Sequence, residues 1–202
     1  MYLVIKNHPI EGPGILVDLL DDKVKEVMAW EDYPKDFDGL IVMGGPMGVY
    51  EADKYPFLYK EMEAIREAVG SGKRVLGVCL GSQLTSKALG GEVVKGHFGP
   101  EVGVQTVRFL NHLGEKKVFQ WHGDTFTLPP NSSLLAYSDK YFQAFTFKKA
   151  LALQFHVEVD SKMVERWVEE YGGDRKVIES VREVEDELYS LAKELVKLWL
   201  QL

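Results

Sequence analysis

Residues 75–84 read VLGVCLGSQL: an apolar run passes into GVCLG at 77–81, and a helix-forming segment follows. A nucleophile flanked at two positions on either side by small residues is typical of a nucleophile elbow, here with Cys instead of Ser. The turn from strand to helix is sharp and strained, so the residues two positions away must lack bulk. The pattern therefore predicts that Cys79 lies at the carboxyl end of a strand, where α/β sheets bind ligands.

Strand-like and helix-like segments alternate around this elbow. Residues 39–43 form an apolar run that ends in the glycine turn at 44–46, and residues 74–78 form another. Residues 57–69 carry apolar side chains at helical spacing, and residues 82–89 continue from Cys79 as a helix. The alternation predicts an α/β fold, an open and mostly parallel sheet with helices on both faces.

The rest of the chain extends this sheet and ends in helices. Near the N-terminus we predict two strands and a short helix between them, at residues 2–6, 24–30 and 15–20. Short β-like runs, expected to form antiparallel additions and the far strands of the sheet, occupy residues 92–95, 103–109, 117–121, 133–138, 141–147 and 150–155. The last two segments are helices, at 161–171 and 174–200. No linker divides the chain, so we expect one domain over 1–202, with 161–202 as a C-terminal helical extension.

The last helix carries apolar residues at spacings of four and three in alternation, which is a heptad pattern. They are Val177, Val181, Val184, Leu188, Leu191, Leu195 and Leu198. We expect this face to pack on the protein's own core, as apolar helix faces usually do. The alternative is that it forms a homodimer or contacts another partner.

Composition excludes several classes of function. Of the 202 residues, 46% are hydrophobic and 27% are charged, as in ordinary globular proteins. The net charge of −7 argues against a protein that coats nucleic acid. The single Cys suits a reducing compartment. The sequence begins without a signal-peptide pattern, and no apolar run approaches the ~18 residues of a membrane span, so we expect a cytoplasmic protein without membrane contact.

A cysteine nucleophile needs a base, and the base needs a group that fixes its tautomer. Of the five histidines, His156 is the best candidate, because it ends an apolar run and Glu158 follows two positions later. In extended backbone, residues two apart point to the same face, so the carboxylate can hold the imidazole towards the sulfur. His122, in WHGD at 121–124, is the competing candidate.

Several of these segments resemble the class I (triad) glutamine amidotransferases. They are GVCLGSQ at 77–83, QFHVE at 154–158 and MGGP at 43–46, and the order Cys, His, Glu also matches. WHGDTFTLPP at 121–130 is similar to the glutaminase domain of guanosine monophosphate synthetase, and most similar to its stand-alone relatives. The resemblance covers residues 38–160 and implies a flavodoxin-like arrangement of the sheet.

The resemblance implies a role for each residue of the triad. Cys79 would attack the side-chain amide carbon of glutamine. His156 would take the thiol proton and deliver it to the departing ammonia, and Glu158 would orient His156. The proline that usually follows the catalytic histidine is Val157 here, which could loosen the turn to Glu158.

The resemblance also implies an oxyanion hole and substrate contacts. The oxyanion would accept hydrogen bonds from the backbone N–H groups of Gly45 and Leu80. Gln83 would help to hold the substrate glutamine. The backbone of Trp121, His122 and Gly123 would contact the amino-acid end of the substrate.

Two enzymatic functions and one non-catalytic function fit these residues. The first is a glutaminase that supplies ammonia to a separate synthase subunit, because no synthase domain and no GxxxxGK[ST] motif accompany the glutaminase-like part. The second is a free-standing γ-glutamyl hydrolase that uses the same triad. A regulatory module without activity is disfavoured by the intact triad, and a PfpI-like enzyme is disfavoured by the His-x-Glu pair.

Other candidate sites are weaker. The glycine turn at 44–48 lacks the lysine of a phosphate-binding loop, so we interpret it as part of the oxyanion hole. Asp124 lies close to His122, but no second pair of ligands has a convincing spacing for a metal. We therefore predict neither a metal nor a cofactor.

Overall fold

The computed structural model describes all residues from Met1 to Leu202. Its strands are β1 (Tyr2–Lys6), β2 (Val24–Met28), β3 (Gly39–Val42), β4 (Arg74–Val78), β5 (Val93–Lys95), β6 (Glu101–Phe109), β7 (Glu115–His122), β8 (Asp124–Phe126), β9 (Ser133–Tyr137), β10 (Phe142–Phe147) and β11 (Ala150–Leu153). Its α-helices are α1 (Phe57–Gly70), α2 (Leu80–Ala88), α3 (Ser161–Tyr171) and α4 (Lys176–Leu200).

Nine strands form one sheet in the order β2-β1-β3-β4-β11-β10-β9-β6-β7. The first five are parallel to their neighbours. The pairs from β11 to β7 are antiparallel. The predicted α/β sheet with antiparallel additions is therefore confirmed. β5 and β8 form a separate two-stranded sheet.

Each face of the parallel strands packs against different helices, because successive side chains of a strand point to opposite faces. In β1, Leu3 and Ile5 join the core formed with α1 and α2. Tyr2 and Val4 join the core on the other face, which contains α3 and α4. No helix is long and apolar enough to cross a membrane.

Two predicted elements near the N-terminus differ from the structure, and one short strand elsewhere was not predicted. The short helix predicted at 15–20 is a 3-10 turn, Gly14–Leu19, after which Leu20 is extended. The strand predicted at 24–30 ends at Met28, because a turn follows in which the Glu31 carboxylate accepts the Met28 N–H at 2.6 Å. The three-residue strand β8 was not predicted, since so short a segment shows no periodicity.

The heptad face of α4 packs on the protein's own core, as expected. Val181, Val184, Leu188, Leu191 and Leu195 are all buried there, and α4 contacts β6, β7 and α3. Val177 and Leu198, at the two ends of this face, are only partly buried. A homodimer or another partner contact stays a prediction.

Candidate active site

Cys79 lies at a strained turn between β4 and α2. Its backbone has φ 54° and ψ −112°, and left-handed φ values cost a non-glycine residue of order 1–3 kcal/mol. The turn also requires its glycines. A Cβ on Gly77 would lie 2.4 Å from the Gly81 carbonyl oxygen, and a Cβ on Gly81 would lie 1.9 Å from the Val42 oxygen. These contacts explain why GVCLG forms an elbow.

The glycine turn after β3 is needed for close packing rather than for an unusual φ. Neither Gly44 nor Gly45 adopts a left-handed φ. A Cβ on Gly44 would lie 2.7 Å from Glu11 Oε1, and a Cβ on Gly45 would lie 2.6 Å from the Asn7 Cβ. The N–H groups of Gly45 and Leu80 donate to no group of the protein, and both residues line the pocket that contains Cys79.

His156 and Glu158 form a buried hydrogen-bonded pair. The distance from His156 Nδ1 to Glu158 Oε1 is 2.5 Å, and both side chains are almost fully buried. Because Nδ1 faces the carboxylate, Nε2 is the ring nitrogen left to interact with Cys79. The contact forms although Val157 replaces the usual proline, and the Val157 side chain is itself buried in the core.

The backbone of His156 lies outside the strand that was predicted to end there. β11 ends at Leu153, so His156 does not terminate that strand. Instead, an isolated antiparallel bridge joins His156 to Phe119 of β7, with N–H to oxygen distances of 2.8 and 3.1 Å. The antiparallel half of the sheet therefore positions the histidine, whereas the parallel half positions Cys79.

The charges around His156 favour its imidazolium form. Burial alone would lower the pKa of His156, but the charges of Glu158 and Cys79 and their hydrogen bonds raise it well above its ordinary value. The ring thus interacts on one side with a carboxylate and on the other with the Cys79 sulfur. A thiolate paired with an imidazolium is the reactive form of a cysteine nucleophile.

His122, the competing base, has both ring nitrogens occupied. Nδ1 lies 2.6 Å from the Asp124 carbonyl oxygen, and Nε2 lies 2.8 Å from Glu101 Oε1. Burial alone would raise the pKa of Glu101, but hydrogen bonds from His122, Ser138 and Gln143 lower it, so this carboxylate is ionised. Both partners of the ring are hydrogen-bond acceptors, so His122 has no free nitrogen with which to accept a proton.

Gln83 has only one amide atom left for a ligand. Its Nε2 donates to Gln154 Oε1 at 3.0 Å and to the Asp124 carbonyl at 3.2 Å. The Oε1 atom is the free group, and it suits a donor such as an ammonium. The Trp121 carbonyl oxygen lies 3.7 Å from Cys79 Sγ, whereas the contact of the 121–123 backbone with the substrate stays a prediction.

One cavity of about 400 Å³ collects the predicted site residues. Its wall includes all of them except Glu158, which lies behind His156: Cys79, His156, Gly45, Leu80, Gln83, Trp121, His122 and Gly123. The wall also contains residues that the sequence did not indicate, chiefly Glu11, Trp167 and Tyr171. No group of three or more His, Cys, Asp or Glu side chains is arranged to hold a metal ion.

Comparison with known families identifies the family of this chain. The family model for class-I glutamine amidotransferases matches residues 14–168. The chain belongs to this family. A solved glutamine amidotransferase from Thermotoga maritima is 32% identical, with a TM-score of 0.90 over 98% of this chain and 96% of the other.

Curated relatives of this class-I member have two kinds of activity in their names. One subunit of the glutamine-hydrolyzing GMP synthase from Sulfolobus acidocaldarius is 31% identical over 83% of this chain and 87% of the relative. Gamma-glutamyl peptidase 4 of Arabidopsis thaliana is 26% identical over 72% of this chain and 66% of the relative. The match to the GMP synthase of Trichormus variabilis covers only 23% of that longer protein.

Proposed function

We propose that this protein hydrolyses the side-chain amide of glutamine, with Cys79 as nucleophile, His156 as base and Glu158 as the group that orients the base. The Cys79 thiolate attacks the amide carbon, and the C–N bond breaks to leave a γ-glutamyl thioester. His156 transfers the proton it took from the thiol to the departing ammonia. Water then cleaves the thioester, which gives glutamate and restores the thiol.

The observation that carries this proposal is the combination of a strained elbow at Cys79 with the buried His156–Glu158 pair beside it. The elbow fixes the sulfur, and the 2.5 Å contact fixes the ring so that Nε2 is left for the sulfur. The unpaired N–H groups of Gly45 and Leu80 would receive the negative charge that develops on the amide oxygen, which is a large contribution in acyl transfer.

The acceptor of the ammonia, in this proposal, belongs to a separate synthase subunit. The likeness to one subunit of a GMP synthase supports such a partner. We also infer a cytoplasmic setting, because a single free thiol suits a reducing compartment. The isolated chain should then hydrolyse glutamine slowly, since an uncontrolled glutaminase would waste its substrate.

A second candidate function is the hydrolysis of γ-glutamyl peptides without any partner. The likeness to gamma-glutamyl peptidase 4 favours it, and the same triad would cleave both kinds of substrate. Glutamine and γ-glutamyl peptides share the γ-carbonyl carbon and the glutamate-like acyl part. They differ only in the group that leaves.

Steady-state kinetics of the purified chain test the proposal. Ammonia or amine release would be measured with glutamine and with γ-glutamyl dipeptides, with Cys79→Ala as the inactive control. Slow but Cys79-dependent hydrolysis of glutamine is the expected result. A high kcat on a γ-glutamyl dipeptide without any partner would refute the role as a synthase subunit, and equal activity of Cys79→Ala would refute the mechanism.

A further inference from the structure

The cavity has two sides that differ in chemistry. Because His156 must deliver a proton to the leaving nitrogen, the leaving group has to lie on the side of the cavity next to His156. Gln83 and the 121–123 backbone lie beside the acyl part of the substrate in the proposed function. The wall around His156 is formed by Trp167, whose ring centroid is 4.9 Å from the imidazole, and by Trp121 and Tyr171.

Glu11 supplies a carboxylate to this aromatic wall. Glu11 is 6% exposed, and its Oε2 accepts a hydrogen bond from the Tyr171 hydroxyl at 2.6 Å. The other oxygen, Oε1, accepts no hydrogen bond although the side chain lines the cavity. A Cβ on Gly44 would lie 2.7 Å from Oε1 and 3.4 Å from the Cys79 Cβ, so carboxylate and nucleophile flank the same glycine.

No lysine or arginine lines the cavity, so His156 is the one group of its wall whose positive charge acts on Glu11. His8 lies outside the cavity, where its Nε2 faces Glu170 at 3.6 Å and its Nδ1 accepts the Ile10 N–H. Burial raises the pKa of Glu11, whereas the hydrogen bond from Tyr171 lowers it. A cation bound next to Glu11 would stabilise the charged form of this carboxylate. Aromatic faces around a carboxylate are the surroundings that organic ammonium groups prefer.

We propose that Glu11, Trp121, Trp167 and Tyr171 form a leaving-group subsite that takes ammonia or a cationic amine and rejects leaving groups with a carboxylate. The inference rests on the proposed function, because it concerns the amine that departs as the γ-glutamyl thioester forms. A γ-glutamyl amino acid would bring its α-carboxylate next to the leaving nitrogen and hence near Glu11. A γ-glutamyl amide of a diamine would bring an ammonium into the same volume instead.

The test uses substrates that share the acyl part and differ in the leaving group. They are glutamine, the monoamide of glutamate with 1,4-diaminobutane at the γ-carboxyl group, the matching butylamide and γ-glutamylalanine. In the wild type, kcat/KM should be highest for the diaminobutane derivative, lower for the butylamide and lowest for γ-glutamylalanine. Glu11→Gln keeps the shape of the side chain. It should reduce the ratio of kcat/KM for the diaminobutane derivative to kcat/KM for γ-glutamylalanine by about tenfold or more.

Glu170→Gln is the matched control, since it removes an exposed carboxylate from the same helix as Tyr171 and should leave the ratio unchanged. If Glu11→Gln does not fold, free 1,4-diaminobutane should still inhibit the wild type at lower concentration than alanine does. Equal inhibition, an unchanged ratio in Glu11→Gln, or a wild-type preference for γ-glutamylalanine would overturn the subsite. Cleavage of none of the four substrates would instead remove the proposed function, and the subsite with it.

Discussion

Two buried pairs of histidine and glutamate each place their histidine in the wall of one cavity, and they differ in what the second ring nitrogen contacts. In the pair His156–Glu158, one nitrogen contacts the carboxylate and the other is left for Cys79. In the pair His122–Glu101, the second nitrogen contacts the Asp124 carbonyl and is not available. A carboxylate next to a histidine is therefore not enough for the histidine to act as a base. The second ring nitrogen must also be free of other hydrogen-bond partners.

The two pairs also stabilise different parts of the molecule. Glu101 and His122 are opposite each other in the β6–β7 ladder, and Ser138 and Gln143 donate further hydrogen bonds to Glu101. This network fixes the end of β7 and the turn to Asp124. The pair His156–Glu158 is attached to the sheet by the bridge to Phe119. We therefore expect loss of the first pair to affect folding, and loss of the second to affect catalysis.

His156→Ala should have the largest effect on catalysis. Without the base, no group takes the thiol proton or delivers it to ammonia, so kcat should fall by about four to six orders of magnitude. Glutamine hydrolysis by the purified variant measures this loss, and circular dichroism checks that the fold is retained. A folded variant with kcat within tenfold of the wild type would contradict the role of His156.

Glu158→Gln should cost less, about two to four orders of magnitude in kcat, because the amide still contacts the ring but does not stabilise the imidazolium. The same substitution should lower the pKa of His156, which NMR of the ring would report.

A pH dependence of stability follows from the raised pKa of His156. The folded state holds this proton more tightly, so the stabilisation is complete below about pH 6.5, the ordinary value of histidine, and is lost as the pH rises through the folded pKa. The difference in unfolding free energy between wild type and Glu158→Gln should therefore shrink above about pH 6.5. A difference that grows with pH would contradict the sign of this coupling.

His122→Ala should have the smallest effect on kcat and a clear effect on stability. Removing a buried hydrogen-bond donor to the Glu101 carboxylate typically costs about 1–3 kcal/mol, because one of its hydrogen bonds is lost in a site without water. Denaturant unfolding would measure this loss, while kcat should stay within about tenfold once the variant is folded. If His122→Ala lowered kcat more than His156→Ala, the assignment of the base would be wrong.

The sequence could predict the site residues that are close to one another in the chain, but not those that only the fold brings together. Cys79 and its two glycines, and likewise His156 and Glu158, are close together in the chain, so local spacing was enough to indicate them. Glu101 reaches His122 only through the register of two antiparallel strands. Glu11, Trp167 and Tyr171 come from a loop after β1 and from α3, and only the folded chain brings them to one cavity. Periodicity carries no information on such contacts.

The bridge from Phe119 to His156 is a further long-range contact that the sequence did not predict. The apolar pattern correctly predicted the strand before His156, but its end was misplaced, because the pairing partner lies in a distant strand. The elbow was predictable because all its structural requirements lie within a few residues of the chain. They are a sharp turn, two residues without side chains and a following helix.

The most direct test of the central claim is to trap the nucleophile. The purified chain would be incubated with a diazoketone analogue of glutamine, and the modified peptide would be located by mass spectrometry. We expect one adduct per chain on Cys79, protection of Cys79 by glutamine, and much slower labelling of His156→Ala than of His122→Ala. An adduct on any other residue, or equal labelling of the two histidine variants, would contradict the account.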